Sequence, residues 1–289
     1  MSDAIDSSKI IDGKAVSPKV EAEVSKTVAA LKEKGIFPKL VTVLVGEDPA
    51  SQMYVRMKHK ACERVGILAE DCILPATMTE SELLDKIREL NADQTVSSIL
   101  VQLPLPKHIS SQTVMNMIDP KKDADGFHPF NMGNLLINEE GLVPCTPKGI
   151  IRLLEEYKVD VQGKNAVVVG HSNVVGKPMA AMLLNRNATV SVCHIFTKDL
   201  KSYTTAADIL VVGVGVKHLI KEDMVKPGVV IFDVGINQDS TGTHGDVDFA
   251  NVVKKAALIT PVPGGVGPMT IAILMTHVVK CAELIAQRK

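Results

Sequence analysis

Apolar residues fall into short runs separated by stretches of helical periodicity, and the alternation repeats along the chain. In the first half, LVTVLVG (40–46) predicts a buried strand closed by glycine. A helix over Pro49 to Val65 and a short strand at DCILP (71–75) follow. Thr79-Glu-Ser-Glu has the pattern of a capping box and predicts a second helix start. SSILVQLPLP (97–106) predicts a third strand, stopped by prolines that cannot continue a ladder. The second half holds five strand-like runs: NAVVVG (165–170), TVSVCH (189–194), DILVVG (208–213), VVIFDVG (229–235) and ALIT (257–260). Strands and helices alternating at this spacing predict parallel βαβ units, and the second half reads as a doubly wound nucleotide-binding sheet.

Between the halves, Asp119 to Asn134 is dense in Pro, Gly, Asp and Asn and reads as a long ordered loop, of the kind that carries function more often than not. Thr146-Pro147 opens a helix to about Tyr157, the expected connection between domains. A last helix, Met269 to Gln287, is expected to return to the first domain. The 289 residues suit two domains. The expected fold is α/β, with two domains, each a mostly parallel sheet flanked by helices, and a cleft between them. Residues 1–147, completed by 269–289, form the first domain, and residues 148–268 form a Rossmann-type second domain.

Composition narrows the function. At 46% apolar and 22% charged, with a net charge of -1 and no basic block, the chain is globular and has no means of holding a phosphate backbone. The five cysteines are odd in number and scattered, without a C-x-x-C pair, so neither a disulfide framework nor a zinc site is expected. MSDAIDSSK lacks the apolar core of a signal peptide, and the apolar stretch Ile271 to Met275 is soon broken by His277 and Lys280. The expectation is a cytoplasmic protein that does not span a membrane.

Three places carry chemistry. After the strand at 165–169 comes G-H-S-N-V-V-G-K-P (170–178): Gly170 permits a tight turn, Gly176 permits close packing, and the following helix start offers free N–H groups to a pyrophosphate. The spacing is not G-x-G-x-x-G, and an ordinary βα turn shares it, so the flanking strands carry the assignment. The next strand ends in H-I-F-T-K (194–198), with no carboxylate for a ribose 2′-hydroxyl before Asp199, which favours NADP. Second, Tyr54 and Lys58 share one face of the predicted helix, and Gln102 stands at the carboxyl end of a strand. Short-chain dehydrogenases also carry a Tyr–Lys pair, but downstream of the nucleotide loop; here the pair precedes it. D-A-D-G-F (123–127) lacks the further oxygens of a calcium loop, and no H-E-x-x-H occurs, so no metal is expected. Third, T-P-V-P-G-G-V-G-P-M-T (260–270) combines stiffness with bare backbone, which suits close approach to a ligand.

I-I-D-G-K, Y-V-x-x-K, V-Q-L-P-L-P, K-D-A-D-G-F-H, P-C-T-P-K-G and P-V-P-G-G-V-G-P-M-T, in this order, resemble the methylenetetrahydrofolate dehydrogenase/cyclohydrolase family from residue 10 to the last helix. The resemblance implies oxidation of 5,10-methylenetetrahydrofolate with NADP and hydrolysis of the product to 10-formyltetrahydrofolate. It also implies a homodimer joined through the nucleotide domains. Lys58 would be the general catalyst, Gln102 its hydrogen-bonding partner, Asp125 the carboxylate that holds the pterin, and Tyr54 a wall against the folate. Val101, Leu103, Pro263, Gly264 and Gly265 would line the folate site. Thr146, Gly170, His171, Ser172, Val175, Gly176, His194, Ile195, Gly213, Val234, Ile236, Gly267 and Thr270 would surround the nucleotide. A lysine ordinarily titrates near about 10.4, so its use as a base at neutral pH costs about 4 kcal/mol, offset by burial and a cationic substrate. His171 and Ile195 stand where family members commonly place a basic residue, a serine or an arginine, which leaves NAD open beside NADP. A dehydrogenase without the second activity, and a regulatory protein that keeps the fold but not the chemistry, remain the alternatives.

Overall fold

The computed structural model describes residues 6–287. The described residues divide into two compact units: Pro18–Val143 with 271–287, here the first unit, and Pro144–Thr270 with 6–17, here the second. The division falls at 143/144, not at 147/148, and the described residues before Pro18 group with the second unit instead of the first.

The first unit contains most of α1 (Gly13–Glu33), then β1 (Lys39–Val45), α2 (Pro49–Val65), β2 (Leu68–Leu74), α3 (Glu80–Ala92), β3 (Ser98–Val101), α4 (Ser111–Met117) and α5 (Pro129–Leu136). Its sheet is parallel in the order β2-β1-β3, and Asp123 bridges Ile99 on the free side of β3. Every residue of β1 after Lys39 is buried, because a central parallel strand is covered on both faces. Val41, Val43, Val45, Ile99 and Val101 pack against Leu83, Ile87 and Leu90 of α3. The capping box at Thr79 is present: its side chain accepts from Glu82 N–H, and its own N–H donates to the Glu82 carboxylate at 2.8 Å. The expected loop over 119–134 is corrected at its end, where α5 begins at Pro129. His128 caps α5 by accepting from Phe130 N–H at 3.0 Å, and a proline in the first turn costs the helix no bond.

The second unit holds α6 (Cys145–Glu156), β4 (Asn165–Val169), α7 (Gly176–Leu184), β5 (Thr189–Cys193), α8 (Leu200–Thr204), β6 (Ile209–Val212), β7 (Val230–Asp233), β8 (Asn237–Asp239), β9 (Gly242–His244), α9 (Phe249–Val252) and β10 (Leu258–Ile259). The five expected strands form one parallel sheet in the order β10-β7-β6-β4-β5. The antiparallel pair β8–β9 is an addition that the apolar pattern does not announce. β6 and β7 are buried throughout, and their alternate residues Leu210, Val212 and Ile231 share a core with Val167, Val169, Val252 and Ile259.

The last helix, α10 (Val266–Ala286), is long and apolar enough to cross a membrane, but 61% of that span is buried inside the protein. Its later part belongs to the first unit, where His277 bonds Ala124 O at 3.0 Å and Lys280 donates to Gly141 O at 3.1 Å. All five cysteines are free and four are buried, with Cys72 half-buried.

Candidate active site

In both units the strand order reverses beside the first strand: β1 lies between β2 and β3, and β4 lies between β5 and β6. The carboxyl ends of the two strands at such a switch point leave a crevice between their diverging connections. Several of the residues singled out from the sequence follow such strand ends: Gln102 after β3, Gly170 after β4, His194 after β5 and Gly213 after β6.

In the first unit, β1 runs through Gly46 into α2. Asp48 caps this helix by accepting from Ser51 N–H at 2.8 Å, and Pro49 occupies its first turn. The helix presents Tyr54 and Lys58 one turn apart, both half-buried. Gln102 follows β3, its backbone N–H held by Val43 O at 2.9 Å. Its side-chain amide donates to Leu103 O at 2.7 Å, which leaves Oε1 to accept from Lys58 Nζ at 3.0 Å. Val101 is 1% exposed with its side chain in the core, and Leu103 packs against the same core.

The K-D-A-D-G segment alongside divides its work. Lys122 is fully buried, and its ammonium donates to Leu90 O, Asn91 O and Asp93 O at 2.7–2.9 Å, where the C-terminal carbonyls of α3 favour a cation. Buried Asp123 accepts from Gly126 N–H, His128 N–H and Asn131 Nδ2 at 2.8–3.0 Å. Gly126 has φ +78°, and a Cβ there would stand 2.3 Å from the Val143 carbonyl carbon. Asp125 is left for other duty. Burial pushes its carboxyl up to about 6, opposed by the charge of Lys58 and assisted by that of Asp123.

In the second unit, Gly170 leaves β4 at φ +118°, and a Cβ there would lie 2.5 Å from Gly213 O. A Cβ on Gly176 would lie 2.1 Å from Gly170 O. Only glycine lets the two loops and α7 come this close. Ser172 Oγ accepts from Val175 N–H at 3.1 Å, while Val175 at the start of α7 makes no side-chain cap. His171 and His194 stack at 4.8 Å between ring centroids, and His194 Nδ1 accepts from Phe196 N–H at 3.2 Å. Ile195 beside them is 88% exposed. Gly213 follows β6, while Val234 and the exposed Ile236 follow β7.

Thr146 and Thr270 share a hydrogen bond of 3.0 Å between hydroxyls. The loop with Pro263, Gly264 and Gly265 lies against the N-terminal I-I-D-G-K: Lys14 N–H donates to Gly264 O at 3.2 Å, and a Cβ on Gly13 would fall 1.7 Å from Gly265 O. Gly267 sits in the first turn of α10. Pro263, Gly264 and Gly265 therefore belong to the second unit, and Lys58, Gln102 and Asp125 to the first.

Two buried aspartates escaped the sequence reading. Asp233 accepts from Gly235, Asp246 and Val247 N–H groups at 2.9–3.0 Å, and burial pushes its carboxyl up to about 6. Asp246 accepts from the Val214, Gly215 and Val216 N–H groups and from Asn237 Nδ2. The available signal was a strand ending in aspartate, with a second aspartate inside G-D-V-D (245–248).

The catalytic-domain model of the tetrahydrofolate dehydrogenase/cyclohydrolase family matches residues 11–125, and the NAD(P)-binding-domain model of that family matches residues 144–286. The chain is 68% identical over 277 residues to the bifunctional protein FolD of Methanosarcina barkeri, 96% of each chain. It is similar to the crystal structure of bifunctional FolD, a methylenetetrahydrofolate dehydrogenase/cyclohydrolase, from Campylobacter jejuni. That protein is 52% identical, with a TM-score of 0.94, over 95% of this chain and 98% of that one. The Trypanosoma brucei N5,N10-methylenetetrahydrofolate dehydrogenase-cyclohydrolase, solved with NADP and an inhibitor, is 37% identical with a TM-score of 0.91, over 97% and 98% of the two chains.

Proposed function

The chain belongs to the tetrahydrofolate dehydrogenase/cyclohydrolase family, and on that premise we propose that it oxidises 5,10-methylenetetrahydrofolate to the methenyl compound with NADP and hydrolyses that compound to 10-formyltetrahydrofolate. The observation that carries this reading is the Lys58–Gln102 hydrogen bond beside a carboxylate, Asp125, on which the charge of Lys58 acts.

A nicotinamide dinucleotide fits the second unit, because Gly170 and Gly176 bring the loop after β4, the turn after β6 and the start of α7 together at the carboxyl ends of neighbouring parallel strands, where such sheets bind nucleotides. When bound, the oxidised nicotinamide supplies the hydride acceptor. The residues of the first unit handle the rest. Asp125, ionised above about pH 6, accepts paired hydrogen bonds from the pterin amino and ring N–H groups and fixes the folate. Tyr54, one turn from Lys58, lines the folate. Gln102, itself fixed by Leu103 O, holds Lys58 Nζ in place. In the hydrolytic step, water adds to the methenyl carbon and gives up a proton to neutral Lys58. The adduct opens as its hydroxyl becomes the formyl carbonyl, its C–N5 bond breaks and N5 takes a proton. One water is consumed and one proton is released.

The assignment of NADP over NAD rests on the second unit. No carboxylate follows β5 before Asp199 to hold a ribose hydroxyl, and two histidines stand together where β4 and β5 end. With Nδ1 of His194 accepting a backbone bond, its Nε2 is the proton-bearing nitrogen and offers a donor beside His171. The decisive assay follows methylenetetrahydrofolate oxidation and methenyl hydrolysis in the purified protein, with NADP and with NAD. Lys58→Met is expected to lower hydrolysis by roughly 10²–10⁴-fold while folate still binds. His171→Ala is expected to narrow the preference for NADP. Hydrolysis at the parental rate in Lys58→Met, or a parent that prefers NAD, would overturn the corresponding part.

The protein is further assigned to the cytoplasm, as a homodimer joined through its second units. Edge strand β5 exposes Val192 and leads to Ile195 and Phe196, which are 88% and 82% exposed; an apolar edge of this kind calls for cover. Light scattering that finds only monomers would count against the dimer.

A further inference from the structure

Asp246 is fully buried, yet its partners are the loops at the ends of two strands and not a core element. Its Oδ2 accepts from Val214 N–H at 2.7 Å and Gly215 N–H at 3.0 Å; its Oδ1 accepts from Val216 N–H at 2.8 Å and Asn237 Nδ2 at 2.9 Å. Three successive backbone N–H groups thus converge on one carboxylate, which fixes the turn after β6 in a single conformation. The turn after β7 is pressed onto the same group, since a Cβ on Gly235 would lie 2.2 Å from Asp246 Cγ. Asp246 is in turn held from beneath, its own N–H donating to Asp233 Oδ1 at 3.0 Å. These two turns carry Gly213, Val234 and Ile236, and the first of them meets Gly170 of the nucleotide loop.

We propose that Asp246 is a positioning residue for the nicotinamide nucleotide: one buried carboxylate ties the turns after β6 and β7 into the shape that receives the cofactor. This rests on the second unit being the nucleotide site. Asp246 reaches the cofactor only through Gly213, Val234 and Ile236. Its loss would therefore weaken nucleotide binding and leave the folate chemistry of the first unit alone. An asparagine at 246 keeps the size but turns an N–H₂ toward backbone N–H groups, leaving buried donors unpaired.

The test compares parent and Asp246→Asn by direct titration with NADP, by the KM for NADP in oxidation, and by methenyl hydrolysis assayed without nucleotide. The expected result is a Kd and KM for NADP raised by about tenfold, with hydrolysis unchanged. A folded variant with the parental Kd would overturn the proposal, as would loss of both activities in parallel with the folded fraction. Should Asp246→Asn fail to fold, Asn237→Ala removes the side-chain tie to Asp246, together with a longer bond to His244 O; the Kd for NADP should again rise, and an unchanged value sinks the idea. A parent that binds NADP but turns over no folate would refute the enzymatic reading and leave the titration to decide on Asp246.

Discussion

Within K-D-A-D-G, residues that look alike in a sequence have opposite fates. Lys122 is buried where three carbonyls accept from it, and Asp123 is buried where three N–H groups donate to it, so hydrogen bonds offset the burial of each. Asp125 has no such set of donors, and burial lifts its carboxyl from 3.8 to about 6. Between these values the folded protein holds a proton that the unfolded chain has lost. Stability therefore falls as pH rises through the window, and the loss is complete at neutral pH. Asp125→Asn removes a cost of at most about 3 kcal/mol. The variant should melt several degrees above the parent at pH 7, the gain should vanish below about pH 4, and folate affinity should fall. Matching melting curves at pH 7 would show that the carboxylate carries no such burden.

At the scale of elements, both units use one device: an interior strand whose neighbours lie on opposite sides, and a glycine-bearing loop at its carboxyl end. The close approaches there are set by glycine. Gly176→Ala places a Cβ 2.1 Å from Gly170 O and must push α7 off its loop. It should weaken NADP binding by more than tenfold and lower the melting temperature, since overpacking costs about 1–3 kcal/mol. Gly133, inside α5 with open space around it, is the contrast. Gly133→Ala should stabilise the protein by up to about 1 kcal/mol, because alanine loses less backbone freedom in a helix. Thermal melts of the two variants moving the same way would contradict this account.

The whole molecule is discontinuous in sequence. The first unit is completed by the last part of α10, where Ala272, Leu274, Met275, Val278 and Cys281 are all buried. Removing the chain after Thr270 would strip these from the core and leave the Ala124 and Gly141 carbonyls without His277 and Lys280. The truncated protein should lose the cooperative melting of its first unit and accumulate as aggregate, which sedimentation and circular dichroism would show. A soluble, cooperatively melting product would mean that residues 18–143 form a sufficient core.

Local chemistry made much of this legible. β1, the five strands of the second sheet, the Thr79 capping box and the glycine loop at 170–176 follow from patterns a few residues long. The order of the family motifs led to Lys58, Gln102 and Asp125. Some of what was missed was also local: α1 repeats apolar Val16, Val20, Val24 and Val28 every fourth residue, and α5 hides among Pro129, Asn131, Gly133 and Asn134, which read as turn formers. The rest was decided by the tertiary structure. Lys122 looks like a surface lysine until the end of α3 meets it, and Asp246 is an ordinary loop aspartate until strand order brings Val214, Gly215, Val216 and Asn237 to its oxygens. A side chain's periodicity reports which face of its own element is covered. The backbone amides that converge on a buried charge come from segments far apart in sequence, and only the packing of strands against one another sets which they are.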